Sequence, residues 1–337
     1  MSLDFEVPTQ WEDFISYSFN RVYINPASGC SANCAYCYIF EFGHPHRPIL
    51  IDVPVETIRD WLIDQKAFRT GKNGTLISIG SVCDPFAPSV TDKTLEFVST
   101  LASLGNPIQL STKFYVREDT AKKLASYQVK DGQIVVNGTV TSFQHWKRIE
   151  PAADPPLNRL KGLGNLEKAG IKTCISIKPV IPGITDTEAE LFANAITTYS
   201  ISYCAVGVMY SSETIEKRLK QRGLASPDLE ERFSRHGIRS IPCQTNISNQ
   251  VTDIDTLDVV KRIISIIEKT QVKVIISGPC AMALSYGVLC PTGVWRYLPH
   301  LCTKCQANCK EMFAGADSDI KNVYPNVVEG LIAVDED

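Results

Sequence analysis

Short apolar segments alternate with amphipathic segments from residue 21 to residue 210, and this alternation constrains the fold more than any other feature. The apolar segments predict strands, and the segments between them place apolar residues on one face at helical spacing. Strands that alternate with helices form a parallel sheet covered by those helices. The predicted strands are 21–24, 76–80, 108–111, 134–140, 172–177 and 203–209, and the predicted helices are 56–68, 91–104, 118–127, 157–169 and 186–199.

Three cysteines follow the first predicted strand within eight residues. Cys30, Cys34 and Cys37 lie in a glycine-led loop at the carboxyl end of that strand, where parallel α/β folds place their chemistry. Thiolates at this density indicate a [4Fe-4S] cluster, and three of them leave the fourth iron free to bind a small molecule. For a cluster-bearing enzyme, the alternation predicts an α/β fold with a partial (β/α)6 barrel.

Structural zinc is the alternative for this loop, because Cys-x2-Cys pairs also hold zinc. A tetrahedral zinc site is usually built from two such pairs or from a Cys/His set. No fourth cysteine lies near the loop, although His44 and His46 could complete a zinc site. The spacing of the three thiols favours the cluster.

A second group of cysteines lies near the C-terminus. Cys302, Cys305 and Cys309 fall within eight residues, so one loop can hold them around a cluster. We expect an auxiliary [4Fe-4S] cluster with Cys290 as the fourth ligand and Cys280 as its substitute. An all-cysteine zinc site is the competing interpretation.

The weaker patterns outside the main alternation divide the chain further. Residues 1–20 are rich in aromatic residues without clear periodicity, and the segment 213–277 holds charged and apolar helices and a last apolar strand at 272–277. From residue 278 the chain is rich in cysteine, proline and glycine. We therefore predict an N-terminal extension at 1–20, the barrel at 21–212, an extension completing the barrel side at 213–277, and the auxiliary-cluster domain at 278–337.

The charge balance and the N-terminus bear on the partners. The 34 basic and 37 acidic residues give a net charge of −3, which argues against a nucleic acid partner. No apolar run approaches membrane-spanning length, and no basic segment precedes an apolar one at the N-terminus. We expect a cytoplasmic protein with no membrane partner, whose twelve cysteines are metal ligands and free thiols.

Several local sequences resemble the spore photoproduct lyase-like branch of the radical S-adenosylmethionine (SAM) superfamily. The triple-cysteine loop has the Cys-x3-Cys-x-aromatic-Cys pattern of that superfamily, and further matching segments follow it in order. This resemblance covers roughly residues 20–210. The segments are Gly80–Pro88, Ser111–Lys113, Ile149–Pro151 with Asn158–Leu160, Lys168–Ile171 and Lys178–Asp186.

The resemblance also implies which residues hold SAM, whose amino and carboxylate groups would bind the open iron. Asp84 or nearby carbonyls are candidates for the amino group, and Lys113 for the carboxylate. Ser142 is a candidate for the ribose, and a solvated loop is the alternative for each of these residues. The candidates for the adenine pocket are Tyr38, Pro182 and Gly183.

Cys83 is the candidate for a further chemical role. It precedes Asp84 at the carboxyl end of the second strand, and the lyase family uses a barrel cysteine to donate a hydrogen atom. A packing role is the alternative. Cys174 and Cys204 lie within apolar strands, so we expect them to be core residues.

The resemblance implies an enzyme that reductively cleaves SAM to a 5′-deoxyadenosyl radical. The radical would abstract hydrogen from a small-molecule or nucleotide-like substrate, with electrons from a donor such as flavodoxin or ferredoxin. The auxiliary cluster would aid oxidation, bind substrate or donate sulfur for C–S bond formation. Repair of a DNA lesion is an alternative, but the lyase carries a single cluster, so the C-terminal cysteines depart from it. A non-catalytic metal-bearing module is another alternative.

Overall fold

The computed structural model describes residues 5–18, 21–234, 252–275 and 277–288, which form a sheet covered by helices. The strands are β1 (Ile15–Ser18), β2 (Arg21–Ile24), β3 (Ala27–Ser28), β4 (Ile49–Leu50), β5 (Leu76–Ile79), β6 (Ile108–Thr112), β7 (Ile134–Thr139), β8 (Lys172–Ile177), β9 (Tyr203–Val206), β10 (Met209–Ser211), β11 (Thr252–Ile254) and β12 (Lys273–Ile275). The helices are α1 (Val55–Asp64), α2 (Thr91–Ala102), α3 (Glu118–Tyr127), α4 (Trp146–Ile149), α5 (Pro156–Lys168), α6 (Ala189–Thr198), α7 (Glu213–Gln221), α8 (Pro227–Ser234), α9 (Leu257–Ile267) and α10 (Gly278–Tyr286).

The main sheet has the strand order β1-β2-β5-β6-β7-β8-β9-β12. All neighbouring strands from β2 to β12 pair in parallel, and β1 pairs antiparallel with β2 at one edge. The six strands predicted from the sequence are β2, β5, β6, β7, β8 and β9, and the last predicted strand is β12. The predicted α/β fold with a partial barrel is therefore confirmed.

The two faces of the sheet have different partners. Alternate residues such as Ile77 and Ile108 pack with α1, α2, α3, α5, α6 and α9, which cover the outer face. The opposite, inner face packs against α10, where Leu76 and Val135 join Met282 in a separate apolar cluster. Because α10 covers the amino ends of the strands, the inner face near their carboxyl ends is where a ligand can be held.

The structure differs from the sequence prediction mainly at short elements. Residues 15–18 form β1, whose four residues are too few to show a period but pair in register, with Ile15 opposite Ile24. Helix α1 ends at Asp64 rather than at residue 68, because Gln65 is extended. Helix α8 lies within the predicted extension at 213–277, and Leu229 and Phe233 supply its apolar face.

The C-terminal predictions fall largely outside the described residues. Cys290, Cys302, Cys305 and Cys309 all lie there, as does most of the predicted auxiliary domain. Residues 278–288 are described and pack with the barrel, whereas the domain boundaries themselves stay predictions. None of the helices in the described ranges combines the length and the apolar character that crossing a membrane requires.

Candidate active site

The cluster loop, residues 25–38, leaves the carboxyl end of β2 and turns sharply at Gly29. Gly29 has a φ of +87°, and a Cβ at this position would meet the carbonyl oxygens of Pro45 and Arg47 at 2.4 and 2.5 Å. Only glycine tolerates both the left-handed backbone and the close approach. The next residue, Cys30, donates its backbone N–H to the Pro45 carbonyl at 3.1 Å. The glycine that leads the loop thus fixes the position of the first thiol.

Two arginines hold the cluster loop from the other side, one within α7 and one directly after it. Arg218 and Arg222 lie four residues apart and therefore on one helical face. Arg218 donates from Nη2 to the Cys37 carbonyl and to Glu41 Oε1. Arg222 donates to the carbonyl of Asn33 at 2.9 Å and to its side-chain oxygen at 3.1 Å. These contacts restrain the backbone that carries the second and third thiols.

The three thiols of the cluster loop differ in their exposure to solvent. Cys34 is buried, whereas Cys30 and Cys37 are partly exposed. Burial, with a further contribution from Asp84, raises the pKa of Cys30 to about 11, and burial raises the pKa of Cys34 well above its usual value. All three thiols are therefore protonated at neutral pH without metal, and cluster binding must displace their protons.

Lys113 follows β6 and faces the thiols. Burial alone would lower the pKa of Lys113, but the neighbouring acidic groups of Cys34, Glu150 and Asp84 raise it above the usual value. Its ammonium also lies 5.7 Å from the centre of the Tyr36 ring. A lysine held charged at this place can bind an anionic group beside the loop.

A buried ion pair supports this lysine. Arg159 donates from Nη1 to Glu150 Oε2 and to the Thr139 carbonyl, and both charged side chains are almost completely buried. The other oxygen of Glu150 accepts from the Tyr36 hydroxyl and from Thr141 Oγ1. The two sequence segments Ile149–Pro151 and Asn158–Leu160 therefore meet in one network that orients the cluster loop at Tyr36.

Asp84 is held by hydrogen bonds from its own surroundings. Its Oδ1 accepts from Thr112 Oγ1 at 2.6 Å and from the Phe86 N–H at 3.1 Å. Its Oδ2 accepts from the Lys113 N–H at 2.6 Å. The carboxylate thus ties the loop after β5 to the end of β6. This arrangement leaves carbonyls of the same loop as the better candidates for an ammonium.

Ser142 also lies in a complete hydrogen-bond network. Its hydroxyl donates to Glu188 Oε1 at 2.5 Å and accepts from the His145 N–H at 2.8 Å, and both Ser142 and Glu188 are buried. The Phe143 N–H donates to the second oxygen of Glu188. This role of Glu188 could not be predicted, because it lies 46 residues from Ser142 along the chain. A contact from Ser142 to a ribose would have to use the remaining lone pair of its oxygen.

The predicted adenine-pocket residues lie on two sides of one apolar cluster. Tyr38 packs edge-on against Tyr210 with ring centres 6.2 Å apart. The Pro182 carbonyl accepts from Ser226 Oγ at 2.7 Å, and the Gly183 N–H donates to Asp186 Oδ1 at 2.7 Å. Ile181 joins the same apolar cluster as Tyr38. The structure thus brings both predicted segments to one cluster beside the loop.

Cys83 is buried near the first thiol. Burial raises the pKa of Cys83, and the charges of Asp84 and Cys30 raise it further. Its Sγ lies 4.0 Å from Asn25 Oδ1, which also accepts from the Gly80 and Ser81 N–H groups. Cys83 is therefore a protonated thiol that can carry a hydrogen atom at the site.

The residues present fit an iron–sulfur cluster better than a mononuclear zinc ion. His44 contacts Ser28 Oγ at 2.9 Å, and His46 stacks on Phe40, so both histidines have contacts other than the thiols. In the ranges that the structure describes, no three His, Cys, Asp or Glu side chains are close enough to hold a single metal ion. A cluster needs no such convergence, because each thiolate binds a different iron.

The family is established by a match to the radical SAM superfamily model over residues 24–196, which is about half of the chain. The chain belongs to the radical SAM superfamily and is a radical SAM enzyme. A [4Fe-4S] cluster and SAM are the cofactors that this family implies. The alternative of a non-catalytic module does not agree with this assignment.

Two viral proteins are similar in sequence. A radical SAM Nalpha-GlyT isomerase of Pseudomonas phage M6 is 24% identical over 206 residues, which cover 58% of this chain and 41% of that protein. The uncharacterized protein ORF301 of Acidianus two-tailed virus is 22% identical over 170 residues, covering 47% of this chain and 56% of that protein. The matched region thus spans only about half the length of these relatives.

Solved structures of spore photoproduct lyase share the fold. One variant superposes with a TM-score of 0.58 at 12% identity, covering 82% of this chain and 78% of that chain. A variant with dinucleoside spore photoproduct gives a TM-score of 0.55 at 13% identity, with the same coverage. At such low identity the similarity shows the fold alone.

Proposed function

We propose that Cys30, Cys34 and Cys37 hold a [4Fe-4S] cluster at which SAM is reductively cleaved, and that the enzyme abstracts hydrogen from a small-molecule or nucleotide-like substrate. One observation carries this proposal: three thiols of one loop face Lys113 at the carboxyl edge of a parallel sheet. When bound, the reduced cluster supplies the electron that converts SAM into a 5′-deoxyadenosyl radical.

The roles of the chain's own residues follow from their positions. Lys113 binds the SAM carboxylate, and carbonyls of the loop held by Asp84 accept from its amino group. Ser142 contacts the ribose, while Tyr38 and the backbone at Pro182 and Gly183 enclose the adenine. The Glu150–Arg159 pair and the two arginines at the C-terminal end of α7 keep the loop in place and exclude water.

Cys83 is proposed as the donor that returns a hydrogen atom to the substrate radical. Its burial keeps the thiol protonated, and it lies at the edge that carries the cluster loop. Donation breaks the S–H bond, forms a C–H bond and leaves a thiyl radical. One electron from the flavodoxin- or ferredoxin-type donor and one proton from solvent would return it to the thiol. The phage relative is named as an isomerase, a reaction class that is compatible with removal and return of hydrogen.

The cysteine-rich segment after residue 278 is proposed to bind an auxiliary [4Fe-4S] cluster through Cys290, Cys302, Cys305 and Cys309. Such a cluster would accept an electron, bind substrate or donate sulfur for C–S bond formation. Replacing Cys302, Cys305 and Cys309 together by Ala should remove about four irons. Wild-type iron content in this variant, or stoichiometric zinc in the wild type, would contradict the auxiliary cluster.

A cytoplasmic setting and a flavodoxin- or ferredoxin-type electron donor complete the proposal. The abundance of cysteines favours a reducing compartment, and the cluster needs a low-potential electron source. Repair of duplex DNA stays the weaker candidate, because the net charge of −3 offers no overall attraction to a polyanion.

The decisive experiment is anaerobic reconstitution followed by reduction with dithionite and assay of 5′-deoxyadenosine. The wild type should form it, whereas Cys34→Ala should form none. Cys204→Ala is the matched control, because this buried thiol lies on β9 and faces the outer helices. Formation of 5′-deoxyadenosine by Cys34→Ala at the wild-type rate would overturn the proposal.

A further inference from the structure

The inner face of the sheet carries a row of buried polar side chains below the cluster loop. Ser78 and Gln109 are register partners on β5 and β6, and Asn137 lies on the next strand, β7. Their exposed fractions are only 4%, 7% and 3%, respectively. Their outward-facing neighbours on the same strands are apolar, so the polarity is confined to the inner face.

These three side chains have unused hydrogen-bonding atoms. Within the described residues, Ser78 Oγ, Gln109 Oε1 and Asn137 Oδ1 are buried and have no hydrogen-bond partner. Buried polar atoms without partners cost free energy of folding and are uncommon in native proteins. Several such atoms on one wall indicate that a ligand supplies their hydrogen-bond partners.

Helix α10 begins beside these side chains. A Cβ on Gly278, the first residue of α10, would lie 2.6 Å from Asn137 Nδ2 and 2.9 Å from Gln109 Nε2. The carboxamides therefore surround the N-terminus of a nine-residue helix. The N-terminus of a helix carries a partial positive charge that attracts anions.

The charged side chains described on the inner face are basic. Arg21 lies on this face of β2 and donates from Nη1 to the Tyr23 hydroxyl at 2.9 Å. Its buried Nε has no partner in the part of the chain that the structure describes. Lys178 follows β8 on the same face, and burial lowers its pKa, with the charge of Arg21 lowering it further. No Asp or Glu occupies an inner-face position of the described main-sheet strands.

We propose that this inner wall, defined as Arg21, Ser78, Gln109 and Asn137, binds the substrate, and that the substrate is a small anion that also carries N–H or O–H donors. Arg21 and the N-terminus of α10 attract the anionic group. The free oxygens of Gln109 and Asn137 accept hydrogen bonds from its donors. The proposal rests on the proposed function, because it names the substrate class for the same barrel.

The anion can be a carboxylate or a phosphate, and two matched pairs of probes separate these sources. The carboxylate pair is N-acetyl-L-alanine and its uncharged amide, and the phosphate pair is thymidine 5′-monophosphate and thymidine. Binding to the reconstituted full-length protein is measured by titration calorimetry without reductant. No turnover occurs without reductant, so the binding result does not depend on SAM cleavage. A failure of anion binding can therefore be distinguished from a failure of the proposed SAM cleavage.

The wild type should bind at least one anionic probe about tenfold or more tightly than its uncharged counterpart. Arg21→Met should remove this preference, whereas Arg59→Met, which changes a surface arginine of α1, should keep it. Equal binding within both pairs, or no binding of either anion at about 5 mM, would overturn the proposal. Preferential binding of duplex DNA over both anions would also overturn it.

A stability measurement tests the wall independently of the probes. Gln109→Met should raise the thermal midpoint of the free protein by about 2 °C, because it removes an unpaired buried oxygen. The same variant should weaken binding of the preferred anion about tenfold. A lower midpoint would assign Gln109 a structural role and would contradict the proposal.

Discussion

The carboxyl edge of the sheet and the inner wall below it are both polar and buried, but they differ in how their polar groups are satisfied. At the edge, the carboxylates of Asp84, Glu150 and Glu188 accept hydrogen bonds from within the protein. On the inner wall, the side-chain oxygens of Gln109 and Asn137 have no hydrogen-bond partner among the residues that the structure describes. Two donors at the edge, Arg159 Nη2 and Arg218 Nε, also lack partners among the described residues, so the contrast concerns the acceptors. The edge acceptors are paired within the fold, whereas we propose that the wall acceptors are paired by a substrate.

The largest effect is expected from breaking the edge at Glu150. Glu150→Gln leaves the buried Arg159 without a counter-charge and should lower the free energy of unfolding by about 3–5 kcal/mol. Urea unfolding of the cluster-free protein under reducing conditions measures this loss. Adding Arg159→Met should restore at least half of it, since the unpaired charge is then removed.

The control for this pair is Glu96→Gln, which breaks the more exposed pair with Lys93 on α2. Its urea midpoint should stay at the wild-type value, because exposed pairs contribute little. A Glu150→Gln midpoint equal to that of the control would show that the edge is not held by this pair.

A smaller effect is expected at Ser142. Ser142→Ala removes a hydrogen bond to the buried Glu188 carboxylate and should lower the free energy of unfolding by about 1–3 kcal/mol. Ser126→Ala is the control, because its hydroxyl bonds a carbonyl on the exposed side of α3. If both variants unfold at the same urea concentration, the hydrogen bond of Ser142 does not stabilise the edge.

The smallest effect is expected on the inner wall. Ser78→Ala should leave the free energy of unfolding unchanged or raise it by up to about 1 kcal/mol, because the lost hydroxyl has no partner within the described ranges. Urea unfolding is again the measurement. A loss as large as that of Ser142→Ala would remove the distinction between wall and edge.

The sequence was sufficient to predict the features that depend on local pattern. Strands such as Tyr203–Val206 are continuous apolar runs, and the spacing of Cys30, Cys34 and Cys37 is covalent, so both can be recognised without a structure. The order of these strands along the chain also predicted the parallel sheet. The four-residue β1 could not be recognised, because its register depends on pairing with β2.

The contacts that complete the edge could not be predicted, because they join distant segments. Arg218 and Arg222 reach the cluster loop from 181 and 189 residues away. The inner wall could not be predicted for another reason. Gln109 and Asn137 are isolated polar residues within largely apolar strands. Only the alternation of faces in the folded sheet brings these amides together.

We propose that the edge binds SAM through the thiols and Lys113, and electron paramagnetic resonance tests this binding most directly. The spectrum of the reduced cluster should change when SAM is added, and Lys113→Met should need about tenfold more SAM for half of that change. Lys123→Met, at an exposed position of α3, should respond like the wild type. A Lys113→Met variant that responds at the wild-type SAM concentration, or a wild-type spectrum that SAM does not alter, would contradict the claim.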